Sequence, residues 1–509
     1  MKAIFLLFDS LNLKALSCYG GPIDTPNFDR LAQKSVRFNN HYVGSMPCMP
    51  ARRDFHTGRY NFFHSAWGPM EPYDNSLPVI LREKKKTYSH LITDHFHYFE
   101  DGGAGYHTKY DTWEFIRGQE YDQWIGEVSP PVDEFKEQYD SRHYNLAGDP
   151  RSCHKLQHLI NRQHIVKDED FPIHQCFDRA FSFLDKNQTE DNWFLHLECF
   201  DPHEPFHAPE KYVKKYTDKL DALVMDWPAY DWVTETEEEI QEVRARYAAL
   251  VSMCDDYLGR LLDYMDAHNM WEDTALVMTT DHGYLLSEHG WWAKTRMPQY
   301  QEISHIPLMI YTPSTTDKAG EEREYTTSAI DIMPTFLDVF GIERPPEVQG
   351  VSLLSVVEQD NTDYRVVVSG IFGGSMLIAD GQYAYHYFPK RLDSVKLYEY
   401  RLMPCHMRGA FSVDELRDMQ LQPPFNFTKG IETLKIKARN DSKRPPGHDG
   451  IGFSDNGTRL FDVVNDPNEQ EPISKKEVEL NLLHHAKNIM QAHDAPCEMY
   501  ERFELEEME

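Results

Sequence analysis

The stretch Pro47-Cys48-Met49-Pro50-Ala51-Arg52-Arg53-Asp54-Phe55-His56-Thr57-Gly58-Arg59 sets a thiol two residues before a proline and four before an arginine. Pro50 suits the first turn of a helix, where its missing N–H leaves no bond unmade. Cys48 is therefore expected at a helix N-terminus, among unpaired backbone donors and the positive end of the dipole, where an anion is welcome. A lone cysteine beside a proline is otherwise an ordinary buried residue, so the spacing alone leaves both readings open. Carboxylates add a second kind of chemistry. Asp9-Ser10 and Asp281-His282 each follow an apolar run, and oxygen ligands with one neighbouring imidazole suit a hard divalent cation. Such an ion holds a substrate oxygen and lowers the pKa of a nucleophile's hydroxyl. A single aspartate ending a strand is more often a cap; two such ends together with Cys48 argue for metal.

These groups need a scaffold that delivers them to one place. Ala3–Phe8 ends at Asp9-Ser10, Tyr88–Thr93 at Asp94-His95-Phe96-His97, Trp193–Phe200 at Asp201-Pro202-His203, and Ala275–Thr280 at Asp281-His282-Gly283, with Leu308–Tyr311 as a further strand. Near-continuous apolar strands separated by helical segments imply an α/β fold with a large, mostly parallel sheet covered by helices on both faces, and such sheets bind ligands at the carboxyl ends of their strands. Thr25-Pro26 signals a helix start. Glu237 to about His268 carries Ile240, Val243, Tyr247, Val251, Cys254, Leu258, Leu261 and Met265 at helical spacing, a core stripe. A boundary is expected between Pro345 and Asp363, dividing a catalytic domain, 1–360, from a smaller C-terminal α+β domain, 361–509. The latter would hold a short antiparallel sheet, built from runs such as Gly381–Phe388, and a helix.

The Cys-x-Pro-x-Arg pentapeptide followed by Thr-Gly-Arg, matched at Cys48, Pro50, Arg52, Thr57, Gly58 and Arg59, resembles the nucleophile motif of type I, formylglycine-dependent sulfatases of the alkaline phosphatase superfamily. The resemblance implies an alkaline phosphatase-like mixed sheet sandwiched by helices. It also implies conversion of Cys48 to formylglycine by a formylglycine-generating enzyme. Asp9, Ser10, Cys48, Asp281 and His282 would then surround a divalent metal, Ca²⁺ first, with Mg²⁺ or Mn²⁺ as alternatives. Many sulfatases carry Asp-Asp where this chain has Asp9-Ser10, which bears on metal identity. Thr87–His97 resembles the family's Gly-Tyr…Gly-Lys-Trp-His segment, with His97 at its active-site histidine and His95 where a lysine is usual. Asp201–Pro205 resembles the Pro-His-x-Pro element and supplies His203; Ser287–Lys294 resembles the segment that supplies a sulfate-binding lysine, Lys294. By that analogy the hydrated aldehyde attacks sulfur, His203 or Lys294 assists the departing alcohol, and Arg52, His95 and Lys294 hold the developing charge. His97 then takes the proton that lets sulfate leave. Arg459–Pro467 resembles the strand and turn of the family's smaller sheet, so the likeness spans nearly the whole chain, with its specific motifs before residue 310.

Substrate choice is read less sharply. Trp67, Tyr98, Glu100, Asp101, Tyr106, Trp113, Glu204, Trp292 and Arg296 flank the motifs, and aromatic faces beside carboxylates suit sugars as well as ordinary packing. His95, Glu100, Trp292 and Arg296 are the expected substrate-binding residues, and a sulfated carbohydrate is the expected substrate, with small aryl sulfates as surrogates. The alternatives are a phosphonate monoester or phosphodiester hydrolase using the same nucleophile, and a non-catalytic sulfated-glycan-binding protein in which Cys48 stays unmodified. Composition excludes other classes: 52 Lys and Arg against 83 Asp and Glu leave a formal charge of −31, unsuited to nucleic acid. Eight scattered cysteines show no metal-finger spacing or disulfide framework. No apolar run approaches the roughly 20 residues of a membrane helix, so no membrane partner is expected. Met1–Phe8 reads as a first strand rather than a signal peptide, which predicts a cytoplasmic protein, or a periplasmic or secreted one where a signal has been removed. The sequence carries no reading of oligomeric state.

Overall fold

The computed structural model describes residues 1–146, 154–220, 222–391, 394–438 and 457–506; Cys153 and the last three residues of the acidic tail lie outside them. An eight-stranded sheet organises the chain. Its strands are β1 (Lys2–Phe8), β2 (Val36–Phe38), β3 (Tyr88–Thr93), β4 (Thr112–Phe115), β5 (Trp193–Cys199), β6 (Thr274–Thr279), β7 (Leu308–Tyr311) and β8 (Glu322–Arg323). In space they run β8-β2-β7-β6-β1-β5-β3-β4. β1 sits near the middle, parallel to β5 from Lys2↔Trp193 to Phe8↔Cys199 and parallel to β6 from Lys2↔Thr274 to Leu7↔Thr279. β3 joins β5 and β4 joins β3, both parallel, and β8 runs parallel to β2. Only β7 runs against its neighbours, β6 and β2. The sheet is thus mixed and mostly parallel, the alkaline phosphatase-like α/β arrangement expected from the sequence. The short strands β2, β4 and β8 were not legible as apolar runs.

Burial on both faces explains why β1 reads as an unbroken apolar run. Ile4, Leu6 and Phe8 pack into one core with residues of the helices Pro26–Lys34, Pro172–Asn187 and Glu237–Ala267. The alternate residues Ala3, Phe5 and Leu7 pack into a second core with the helices Cys48–Thr57, Leu77–Lys85 and Ile332–Val339. The 31-residue helix Glu237–Ala267 starts on a capping box in which Thr236 and Glu239 satisfy each other's backbone N–H groups.

The helix Pro26–Lys34 starts where Thr25-Pro26 predicts, but its cap comes from elsewhere. The Thr25 hydroxyl bonds to Ser17, and the N–H groups of Asn27 and Phe28 both donate to Asp255 Oδ1, 2.9 Å away on the long helix. One buried carboxylate thereby joins two helices of the same layer.

A second sheet of five strands runs Arg459–Asp462, Tyr383–Tyr387, Met376–Ala379, Val367–Ile371, Ser45–Met46. Four of its strands come from the C-terminal part of the chain and pair antiparallel, with the helix Lys476–Ala492 packed against them. The fifth, Ser45–Met46, immediately precedes the Cys48 helix and pairs parallel to Val367–Ile371 through Gly370↔Ser45 and Ile371↔Met46. No helix among the described residues is long and apolar enough to cross a membrane.

Burial raises the Asp255 carboxyl to about 6, so at pH 7.5 it caps as an anion. Asp255→Ala is expected to cost about 1–2 kcal/mol, the worth of a lost cap and its charge at a helix N-terminus, read as a lower denaturant midpoint. An unchanged midpoint would mean that these two bonds do not hold the helix.

Candidate active site

Cys48 is the first residue of the helix Cys48–Thr57, and Arg52 lies one turn further along, its guanidinium reaching back to the Cys48 carbonyl at 3.1 Å. The same guanidinium donates to Glu198 on β5, to Asp9 after β1 at 2.8 Å and to Asp281 after β6 at 2.6 Å. Arg52 is buried, and so are all three carboxylates. The ends of three adjacent strands and the Cys48 helix therefore meet on one side chain.

Around that node the polar groups are arranged by charge. The Ser10 hydroxyl donates to Asp9 at 2.8 Å, its N–H donates to Asp281 at 3.1 Å, and its left-handed φ of 61° turns the chain sharply out of β1. The Lys294 ammonium donates to Ser10 Oγ at 3.1 Å and lies 3.7 Å from Cys48 Sγ and 3.8 Å from Glu204. Burial works against its charge, and Cys48, Glu204, Asp9 and Asp281 outweigh it, holding the amine above its ordinary range. His282 Nε2 stands 3.2 Å from Cys48 Sγ. Its Nδ1–H donates to the Gly283 carbonyl, and burial lowers the ring to about 3, so Nε2 offers a lone pair.

Two histidines face the same space. His97 places Nδ1 2.6 Å from Glu100 and Nε2 3.6 Å from Glu120, with Trp67 edge-on at 5.0 Å. His203 is fixed through Nδ1 by the Glu204 carbonyl and packed against Phe200 at 4.1 Å. Cys48, His97, His203 and Lys294 line one cavity of about 800 Å³, with Trp67, Glu120, Glu204, Trp227, Tyr230 and Arg408 also on its walls.

Asp9, Cys48, Asp281 and His282 hold their ligand atoms within 4.8 Å of one another. Burial and the neighbouring charge of Asp281 raise the Asp9 carboxyl to about 8. Counting Glu198 and Glu204, four buried acids face two cations, Arg52 and Lys294. This donor set of carboxylate oxygens plus one neutral imidazole fits a divalent cation, which would remove the repulsion between the two aspartates.

The family model described as Sulfatase matches residues 2–342, about two thirds of the chain. The chain belongs to the sulfatase family. Among curated relatives, an uncharacterized sulfatase of Escherichia coli, YidJ, is 28% identical, covering 70% of this chain and 71% of that protein. An N-acetylglucosamine-6-O-sulfatase of Bacteroides thetaiotaomicron is 24% identical over 82% of this chain and 81% of its own. The solved structure of a phosphonate monoester hydrolase of Agrobacterium radiobacter shares the fold with a TM-score of 0.63, at 18% identity over 97% of this chain and 95% of that one. The protein is a sulfuric ester hydrolase of alkaline phosphatase-like fold.

In this sulfatase the residues expected from sequence separate into groups. Cys48, His97, His203 and Lys294 reach the cavity together, and Asp9, Ser10, Asp281 and His282 gather behind Cys48. Arg52 corrects the expectation that it holds substrate charge: every arm of its guanidinium is taken by a carboxylate or the Cys48 carbonyl, and it does not line the cavity. His95, likewise expected to hold the developing charge, has no charge to offer. It is buried against Phe200 and Tyr98, and burial, followed by Arg52 and His97, holds it well below its ordinary pKa.

None of the expected substrate contacts reaches the wall. Glu100 stands behind His97. Trp292 is 1% exposed with its indole N–H on Glu235, and Arg296 is 2% exposed on Asp231 and the Tyr230 carbonyl. Apolar packing outcompeted recognition at Trp292. The wall residues Trp227, Tyr230 and Arg408 lie on loops without motif or periodicity, so composition alone offered no signal for them; Trp67 and Glu204 were flagged only by flanking the motifs.

A cation on this cluster requires Asp9 as the anion, and burial with the charge of Asp281 raises that carboxyl, so where Asp9 is protonated each bound ion displaces a proton. Calorimetric titration with Ca²⁺ in buffers of differing ionisation enthalpy is expected to show proton release that declines as pH rises. Affinity should rise by up to about tenfold per pH unit over the range where protons are released. Flat affinity with no proton release would show Asp9 already ionised.

Proposed function

We propose that this sulfatase hydrolyses a sulfate ester on a carbohydrate, using formylglycine made from Cys48 and a divalent ion, Ca²⁺ first, held by Asp9, Asp281 and His282 with Ser10 beside them. The observation that carries the reading is the convergence of Cys48, Lys294, His203 and His97 on one cavity whose inner end abuts a buried pair of aspartates. The relative named an N-acetylglucosamine-6-O-sulfatase supports a sugar as substrate. So do the aromatic and acidic wall residues Trp67, Trp227, Tyr230, Glu120 and Glu204, which combine stacking faces with hydrogen-bond acceptors. Loaded, the ion supplies positive charge to sulfate oxygens, and the hydrated aldehyde supplies two hydroxyls on one carbon, one to attack and one to lose a proton.

The chain's own residues divide the remaining work. Lys294 stays an ammonium next to Cys48 and so holds a sulfate oxygen and stabilises the departing alkoxide. His203, with Nδ1–H committed to the Glu204 carbonyl and the ring held well below its ordinary pKa by burial, presents Nε2 as the acceptor that takes the attacking hydroxyl's proton and returns it to the departing alkoxide, which leaves as the alcohol. His97 is the base: Nδ1–H points at Glu100, leaving Nε2 to accept a proton from the group at position 48, and the Glu100 carboxylate steadies the imidazolium that forms. Burial lowers the His97 pKa, and Glu100 partly restores it.

One metal-replete preparation given an aryl sulfate and the matching aryl phosphonate monoester is expected to show higher kcat/KM for the sulfate. The reverse preference would replace this reading with a phosphonate monoester hydrolase. Cys48→Ala should abolish turnover, and peptide mass should find aldehyde at position 48 in the wild type; full activity in Cys48→Ala would overturn the nucleophile. Glu100→Gln is expected to lower kcat by about 10²-fold, near the low end for a general base, and to shift the acid limb of the rate profile to lower pH. The sign follows from Glu100 raising the His97 pKa; an unmoved limb would exclude His97 as the titrating base.

A further inference from the structure

On the far side of the loop that carries Lys294, a second group of ligand-type side chains meets at the seam between the two sheets. His289 comes from that loop, Glu302 from the short helix Gln301–Ser304, and Glu469 from the turn after strand Arg459–Asp462. Their ligand atoms lie within 4.8 Å of one another. Glu302 is 5% exposed and Glu469 3%. His289 Nε2 and Glu302 Oε2 face each other at 3.5 Å, and both are buried without a hydrogen-bond partner. That spacing is the distance between two ligands of one tetrahedral ion, about 3.4 Å for metal–ligand bonds near 2.1 Å.

The surroundings hold all three ligands in place. His289 has left-handed backbone geometry, φ 54°, and its ring stacks on Tyr300 with centroids 3.6 Å apart. Glu302 Oε1 accepts from Lys14 at 2.7 Å, which leaves Oε2 for the cluster. Glu469 accepts from His386 Nε2 at 2.7 Å and from the Gln301 N–H at 2.8 Å, the kind of outer hydrogen bonds that orient metal-binding carboxylates.

We propose that His289, Glu302 and Glu469 form a second metal site, distinct from the Asp9 and Asp281 cluster, that takes a borderline divalent ion of the Zn²⁺ class with water as fourth ligand. One imidazole with two carboxylates in a compact buried space matches Zn²⁺ chemistry, whereas Ca²⁺ requires six to eight oxygens. An ion here ties the Lys294 loop to the C-terminal sheet, so its role is to stiffen the wall of the cavity. The site stands independently of the substrate and of the state of Cys48.

The test uses the full chain, stripped with chelator, saturated with Ca²⁺ and titrated with Zn²⁺. Native mass spectrometry counts ions in the wild type, His289→Ala, Glu302→Gln and Glu469→Gln, and the visible absorption of Co²⁺ reports tetrahedral geometry. Every variant keeps the Asp9 and Asp281 cluster, so the difference in count isolates the second site. The wild type is expected to hold one more Zn²⁺ than His289→Ala, to gain thermal stability with Zn²⁺ where that variant does not, and to show tetrahedral Co²⁺ bands that Glu302→Gln loses. Lys14→Met should tighten binding, because the Lys14 charge competes for Glu302. Equal Zn²⁺ counts in the wild type, His289→Ala and Glu302→Gln would overturn the site and leave an ordinary histidine–carboxylate pair.

Discussion

One guanidinium sealed among three carboxylates governs the geometry of this sulfatase. Arg52 bonds to residues at the ends of β1, β5 and β6 and to the carbonyl of Cys48. Buried charge of this kind is a poor source of net stability, because desolvating each ion costs about what the pairing returns. Its value is directional. A planar fork reaching three acids and a carbonyl allows one orientation of the Cys48 helix relative to the sheet, which a lysine's point charge would not specify. Removing it would leave three buried acids without their shared partner, so it is a contact poorly open to substitution.

The same node decides the electrostatics of the cavity. Because Arg52 is used up internally, the cation beside Cys48 on the cavity wall is Lys294. The nearby histidines are held neutral by burial and by these cations. A chain of net charge −31 thus sets one buried ammonium beside Cys48, in a pocket whose walls also carry acids and aromatic rings.

Much of this was legible in the sequence. Doubly buried strands read as apolar runs because both faces of β1 pack into cores, and the residues after those runs had to gather at one edge. What was not legible depends on side-chain competition. Whether Arg52 faces substrate or carboxylates, or whether Trp292 stacks on a sugar or fills the interior, is settled by partners distant in the chain, such as Glu198 and Glu235. Thr25 looked like a cap and is not one, because Asp255 arrives from a helix some 230 residues later. The short strands β2, β4 and β8 are too brief to show a period, and the cavity wall from Trp227 to Arg408 is built on loops whose side chains carry no pattern.

The strand Ser45–Met46 gives the order of synthesis a physical meaning. It leads directly into Cys48, yet its pairing partner is Val367–Ile371, some 320 residues downstream. During translation at roughly 5–20 residues per second, the partner follows by tens of seconds. Until then the segment before Cys48 lacks its partner strand. The conversion proposed for Cys48 would thus have an interval in which its helix is not yet tied to the C-terminal sheet.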